Sequence, residues 1–302
     1  MNIRSDNNYE INLADIWQIL WRAKIFLLGL AVITAIVSIC YVRQLANIYE
    51  GKAVLVIVNK AGSSSLARLT GQLGGLASLA GINLADSGAD KSKLALEIAK
   101  SREFIYRMIV EQDMLVPLMA ATSWDPHTDT LYLDERLYHD GKWVRDVEFP
   151  FDAKPSRQEA LKAFDEVFFL HHSKEYGTVT ITFQHYSATL AAKWANAFAR
   201  MLDNEMKQRD VREAQHSLQY LQKQLEKTEL EALKLALYQL IEEQSKTLML
   251  AEVSEEYVFK LIDPAVRELL PAAPKRTFIV VLAILLVQLI SCFIILLVRL
   301  RQ

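Results

Sequence analysis

Cysteine is nearly absent from this sequence. There are two, Cys40 and Cys292, and both fall inside long apolar runs. The polar part of the chain therefore needs no disulfide, and cysteine usage does not identify a redox compartment. An excess of charge of one sign is missing too. Lys and Arg number 34 against 36 Asp and Glu, a formal net charge of −2, which gives no electrostatic footprint for nucleic acid. No Gly-Lys-Ser or Gly-Lys-Thr closes a phosphate loop, and no GxGxxG opens a helix. Nucleophile elbow and zinc spacing are likewise absent. His171 and His172 are adjacent, so on a strand they point to opposite faces, and no third ligand stands at metal spacing. His127 and His139 are isolated among polar residues. Glu242-Glu243 and Glu255-Glu256 read as solvated helix faces, whereas a glycosidase needs two carboxylates converging across a sugar pocket. No catalytic centre, cofactor site or metal site is expected.

Two long apolar runs are present. Phe278–Val298 is broken only by Gln288, Ser291 and small residues. It has the ~20 residues that a helix needs to cross a ~30 Å hydrocarbon core. Ile25–Val42 is the second run. Its core of ~18 residues is long for a signal peptide, and no small-x-small cleavage pattern follows it, so it reads as an uncleaved anchor. Ile39 before Cys40 also argues against a lipoprotein-type site. Two spans put both ends of the chain on one side. The flanking charges are nearly balanced and do not say which: Arg4, Arg22 and Lys24 face Arg43 and Lys52, and Lys275 and Arg276 face Arg299 and Arg301. The organisation is thus a tail, 1–24; a first span, 25–42; a polar domain, 43–277; a second span, 278–298; and a tail, 299–302. Within the polar domain a base, 43–201 and 251–277, carries a helical extension, 202–250.

Along the chain, Leu13, Ile16, Trp17, Leu20 and Trp21 recur at helical spacing. With Arg22 and Lys24 they suit the headgroup layer, or are simply the start of the first span. Ala53–Val58 reads as a strand buried on both faces. Residues 61–90 hold six of the ten glycines. This stretch is either a mobile surface loop or a segment that packs on a neighbouring subunit or on lipid through Leu76 and Leu79. A helix capped by Asp90 or Ser92 is expected to run to about Glu111, with Leu94, Ile98, Ile105, Met108 and Ile109 on one face; Pro117 and Trp124–Asp129 end that unit. At most an irregular hairpin is expected over Leu131–Pro155, near Asp140-Gly141. Ser156 and Glu159 form a capping box for a helix with Ala160, Leu161, Phe164, Val167 and Phe168 on its apolar face. Thr178–Phe183 alternates as a half-buried strand.

From Ser187 to Pro264 the chain has neither glycine nor proline. Leu190, Trp194, Phe198 and Met201 form a core-facing stripe. Beyond Leu202 the apolar residues thin to Val211, Ala214, Leu218, Leu221 and Leu225, a narrow seam at alternating three and four spacing. A helix from Ser187 to about Lys227 would reach ~60 Å and should project away from the membrane. Leu230, Leu233, Leu237 and Leu240 open a second seam, on a helix that either returns along the first or continues its line. Leu218, Leu221 and Leu225 are candidate contacts for self-association. Tyr257–Ile262 reads as a strand back to the base, after which Pro264, Pro271 and Pro274 hold an extended approach to Lys275 and Arg276 at the headgroup layer.

Three blocks carry a family resemblance: QHYSATLAAKWANAF (184–198), RDVREAQHSLQYLQKQLEKTELEAL (209–233) and YQLIEEQSKTLMLAEVSEEYVFKLIDPAV (238–266). With the order of span, α/β domain, long helix, proline-bearing exit and span, the chain resembles the Wzz chain-length determinants, polysaccharide co-polymerases of bacterial inner membranes. The resemblance implies cytoplasmic tails, a periplasmic α/β domain with a protruding helical hairpin or extended helix, and a ring-like homo-oligomer. It also implies partnership with the Wzy polymerase and a lipid-linked polysaccharide, commonly lipopolysaccharide O antigen. Pro264, Pro271, Pro274 and Lys275 match the family's proline-rich segment. Glu268–Leu270 departs from it where many members carry a further proline, and the glycines common in the second span are absent.

The expected function is control of modal glycan length by a non-enzymatic scaffold. Rivals are a co-polymerase for capsule, exopolysaccharide or enterobacterial common antigen, a two-span periplasmic sensor, and an enzyme. A sensor would need a cytoplasmic signalling module, for which Arg299–Gln302 leaves no room. The lack of a Walker motif and of a tyrosine-rich tail distinguishes the chain from co-polymerases with a kinase domain.

Overall fold

A computed structural model describes residues 21, 24–57 and 87–300. The expectations for the amphipathic turn before Trp21, for Arg22 and for the glycine-rich stretch with Leu76 and Leu79 lie outside the described residues. The chain divides into two compact units, Met1–Asn47 with Ala272–Gln302, and Ile48–Pro271.

The first unit is an antiparallel pair of apolar helices, α1 (Lys24–Gln44) and one that opens at Arg276. Both are long and apolar enough to cross a membrane. Several of their polar side chains bond within the unit, the arrangement that a hydrocarbon surround would demand. Thr34 donates to Leu30 O, Ser38 to Thr34 O and Ser291 to Val287 O. Gln288 Nε2 donates across the pair to Leu27 O at 2.7 Å. At the other end the Arg276 guanidinium donates to Asn47 Oδ1 at 2.8 Å. Lys24 lies over the Trp21 ring at 4.7 Å.

The second unit is built on a four-stranded antiparallel sheet. Its strands are β1 (Tyr49–Ile57), β6 (Phe168–Ser173), β7 (Thr178–His185) and β8 (Phe259–Asp263), in the order β6-β7-β1-β8. The alternation of β7 decides the layering. Val179, Ile181, Phe183 and His185 are buried and pair with Leu55, Ala53, Gly51 and Tyr49 of β1. β1 was expected to be buried on both faces; instead it alternates, with Val54 and Val56 only half-buried. The apolar run is continuous because its outer valines share a face with threonines, not because helices cover both sides.

Helix α6 (Ala188–Lys227) crosses the inner face, capped by Ser187, whose Oγ accepts the Leu190 N–H. Its first turns present Ala188, Ala191, Ala192, Ala195 and Ala199, all buried, and small side chains bring its backbone close to the sheet. The approach is closest at Gly51: a Cβ there would lie 2.2 Å from Ala191 C and 2.4 Å from Ala192 N. Around this contact Trp194, Phe198, Phe183, Phe164, Phe168 and Phe104 form an aromatic core of edge-on and tilted pairs.

The single helix expected from Asp90 to Glu111 is two, α2 (Ser87–Ala99) and α3 (Arg102–Glu111). Ser101 starts the second by accepting the Phe104 N–H. The break turns Ile98 and the α3 residues Ile105, Met108 and Ile109 inward and leaves Leu94 exposed. Pro117 does not end the unit. It sits in the first turn of α4 (Leu115–Ala120), where its missing N–H costs nothing. A hairpin of β2 (Ala121–Asp125) and β3 (Thr130–Leu133) follows, and it turns over residues 126–129, the second part of the polar Trp124–Asp129 stretch. The small hairpin β4 (Tyr138–His139) and β5 (Lys142–Trp143) turns at Asp140-Gly141, both at positive φ. Helix α5 (Arg157–Val167) has the full capping box of Ser156 and Glu159. Helix α7 (Glu231–Val253) doubles back along α6, and the second apolar helix is α8 (Arg276–Leu300).

Candidate functional site

The exit of the long hairpin is written into one polar face of α6. The Asp203 carboxylate accepts three consecutive backbone N–H groups, from Tyr257 (2.8 Å), Val258 (2.7 Å) and Phe259 (2.9 Å). That is why β8 begins at Phe259 rather than at Tyr257: the preceding amides are engaged by α6 and not by a strand. Asn196 repeats the device one strand-length on, its amide both donating to Ala265 O and accepting Ala265 N–H. Lys207 donates to Ser254 O. The Tyr257 hydroxyl donates to Asp210, which also takes Lys91 at 2.6 Å. Burial and the Asp210 carboxylate push the Tyr257 hydroxyl pKa upward, so it remains a donor. Glu255-Glu256, expected on a solvated helix face, lie beyond the helix that ends at Val253, and Glu256 accepts the Leu261 N–H.

Beyond this clamp the hairpin has an inner seam. On α6 Ala214 is buried, and Leu218, Leu221 and Leu225 are half-buried on the same helix face. These three residues, singled out for self-association, thus already have partial cover within their own chain. On α7 the seam is Leu237, Ile241, Leu248 and Ala251. The expected seam of Leu230, Leu233, Leu237 and Leu240 is correct only at Leu237; the other three are exposed. A second stripe runs down the back of α7. Leu235, Tyr238, Met249 and Val253 are exposed, Val253 by 85%. Sequence periodicity overlooked this stripe because it seeks one apolar face per helix.

The proline-bearing segment is placed residue by residue. Pro264 follows β8 and is exposed, as is Pro271 at the end of the second unit. Pro274, half-buried, and Lys275 lead in the first unit to Arg276, which opens α8 and holds Asn47. Between them Arg267 donates to Pro126 O and lies 5.0 Å over the Trp124 ring.

Elsewhere the chemistry is structural. His171 and His172 pair with Thr180 and Val179, on opposite faces of the sheet. Among the described residues no three potential metal ligands cluster. His185 is buried, accepts the Ser187 N–H at Nδ1 and meets Pro117 O at 3.0 Å through Nε2, which assigns the Nε2–H tautomer. Burial pulls its pKa down. Arg145 ties the 146–155 loop, donating to Asp152 O, Ala153 O and, at 2.6 Å, Glu159. That guanidinium, chiefly, with the Ser156 cap holds the Glu159 carboxyl at about 2.

No curated protein matches the chain. A solved full-length bacterial polysaccharide co-polymerase aligns over 94% of this chain and 96% of its own, at 12% identity and a TM-score of 0.38. The family model described as Wzz, chain length determinant protein, matches residues 9–111. That stretch takes in α1, β1, α2 and α3, and lies outside the 184–266 blocks that carry the resemblance. Over residues 9–111, then, the chain is similar to the Wzz chain length determinant family.

Proposed function

We propose that the protein is a polysaccharide co-polymerase that sets the modal chain length of lipopolysaccharide O antigen made with a Wzy polymerase. The observation that carries this reading is the chain length determinant match over 9–111, on a chain whose mixed α/β unit stands between two apolar helices. In this reading the helices span the inner membrane, both tails are cytoplasmic and the α/β unit, with base 43–201 and 251–277 and extension 202–250, is periplasmic. The protein has no catalysis of its own. It acts as a ring-like homo-oligomer that biases the polymerase between elongation and termination on a lipid-linked glycan. Supporting the oligomer is the exposed α7 stripe of Leu235, Tyr238, Met249 and Val253, apolar area that the hairpin itself leaves in water. The Pro264, Pro271, Pro274, Lys275 and Arg276 segment is the approach to the second span.

The test is the gel profile of surface lipopolysaccharide from a deletion strain, with and without the restored gene. A preferred cluster of bands should vanish on deletion and return on complementation. An unchanged profile refutes O antigen as the glycan; if capsule, exopolysaccharide and common antigen are also unchanged, the co-polymerase reading fails. The oligomer has its own check, because Tyr238 and Val253 are exposed and Tyr238→Glu with Val253→Glu leaves the buried seam of Leu237 and Ala251 in place. Light scattering of the detergent-solubilised variant should show a smaller assembly with the fold intact.

A further inference from the structure

We propose that Leu269 and Leu270 form a lipid-contacting edge of the α/β unit, entering the headgroup–acyl boundary of the bilayer. The two are adjacent and almost fully exposed, by 83% and 80%, with Val266 also in water. They are not on a free tail. Ala265 is held by the Asn196 amide, and Arg267 by Pro126 O and the Trp124 ring.

Topology says where this edge is. β8 runs antiparallel to β1, with Phe259 opposite Ile57 and Asp263 opposite Val54. The chain beyond Asp263 therefore runs toward the Tyr49 end of β1. The Trp124 ring, on which Arg267 rests, meets Tyr49 edge-on at 5.1 Å. Tyr49 itself follows closely on Gln44, the last residue of α1. Both covalent links to the apolar helices thus leave the sheet from one end, and Leu269-Leu270 stand at that end. From Leu270 the chain reaches Arg276, where α8 opens, in six steps, at most ~20 Å when fully extended. A bilayer around α8 is therefore an apolar medium that connectivity alone brings within reach. Two adjacent leucines supply the apolar area that an interfacial contact needs. The sequence continues to Lys275 and Arg276, which suit anionic headgroups, and the carboxylate of Glu268 points to a shallow contact rather than a deep one.

The proposal rests on α8 lying in a bilayer, as the proposed function requires, and the test separates the two. The full-length protein with Cys40→Ala and Cys292→Ala is placed in vesicles of phosphatidylethanolamine and phosphatidylglycerol. Nitroxides are attached at Leu269→Cys or Leu270→Cys, at Phe278→Cys in α8, or at Tyr176→Cys. Tyr176 is in the β6–β7 turn, at the sheet end opposite Tyr49, since Thr178 pairs with Val56. Collisions with oxygen, which concentrates in lipid, are compared with those of a water-soluble nickel chelate. The oxygen-to-nickel ratio at Leu269 and Leu270 should be several-fold above that at Tyr176 and approach that at Phe278. A ratio equal to that at Tyr176, with Phe278 lipid-like, overturns the proposal and leaves the span. A water-like Phe278 overturns both. Protection from both reagents with spin–spin broadening would show a second copy covering the leucines, and that too overturns it.

Discussion

Replacing Gly51 by alanine tests the closest contact in the α/β unit. In an ordinary strand that change is favourable, because glycine in a strand interior is worse than alanine by roughly 0.5–1 kcal/mol. Gly51 has no positive φ to lose. Its new Cβ, however, would lie 2.2 Å from Ala191 C, 2.3 Å from Ala191 O and 2.4 Å from Ala192 N. These are backbone atoms of a helix, so no rotamer change relieves the clash. Restoring van der Waals distance moves α6 off the sheet by more than 1 Å, against the aromatic core around Trp194 and Phe198. Overpacking costs about 1–3 kcal/mol where side chains can adjust, so ~3 kcal/mol is expected here. In a domain of this size that lowers Tm by about 6–12 °C, at 2–4 °C per kcal/mol. The assay is thermal unfolding of the full chain in detergent, followed by tryptophan fluorescence. Gly29→Ala is the control, since nothing lies within 4 Å of its Cβ position. A Tm for Gly51→Ala equal to or above the parent would refute the reasoning.

Asp203→Ala strips three amides of their charged acceptor and should destabilise by about 3 kcal/mol or more, with Asn recovering part; urea unfolding measures both, and proteolysis should cut near Tyr257. Glu159 has a folded pKa of about 2 against 4.5, so its contribution is full above ~4.5 and is lost as pH falls toward 2. Discounted for its solvent exposure, that is about 1 kcal/mol, and Glu159→Gln should flatten this part of the acid limb in pH-dependent urea titrations. His185 has a depressed folded pKa, so below ~6.5 the unfolded chain binds a proton that the folded one refuses, and stability falls as pH drops. His185→Gln should remove that slope below pH 6.5 in the same titrations.

The elements most legible in the sequence are those whose signals are local. Ser156 with Glu159, the threonine alternation of β7 and the unbroken run after Ser187 each fix a boundary through groups a few residues apart. Less legible are the breaks set by distant partners. Nothing local says that Tyr257 and Val258 give their amides to Asp203, 54 and 55 positions away, so the start of β8 is misplaced. Nor does a lone Gly51 in a valine-rich run reveal that a helix backbone will lie against it. Ser101 is a modest cap signal inside a continuous apolar pattern, and the division of α2 from α3 depends on packing that turns Phe104 toward Phe198.

The candidate site shows the same limit more sharply. A periodicity reading finds the buried face of a helix only when the opposite face is polar. α6 beyond Leu202 meets that condition: its narrow seam at Ala214, Leu218, Leu221 and Leu225 is the face that is covered. α7 does not. Its inner stripe of Leu237, Ile241, Leu248 and Ala251 and its outer stripe of Leu235, Tyr238, Met249 and Val253 both follow spacings of three and four or their multiples. Polar residues, Glu242 and Lys246 among them, interrupt the outer one midway along its length. Because the hairpin uses α6 to cover the inner stripe, the leucines of α6 have less free area to offer another copy than does the back of α7. If the protein works as an oligomer, the physical demand for a partner is therefore greater on α7 than on Leu218, Leu221 and Leu225. Glutamate at Tyr238 and Val253 should then perturb assembly more than glutamate-free truncation of Leu218 to alanine, which would act first on the hairpin's own stability.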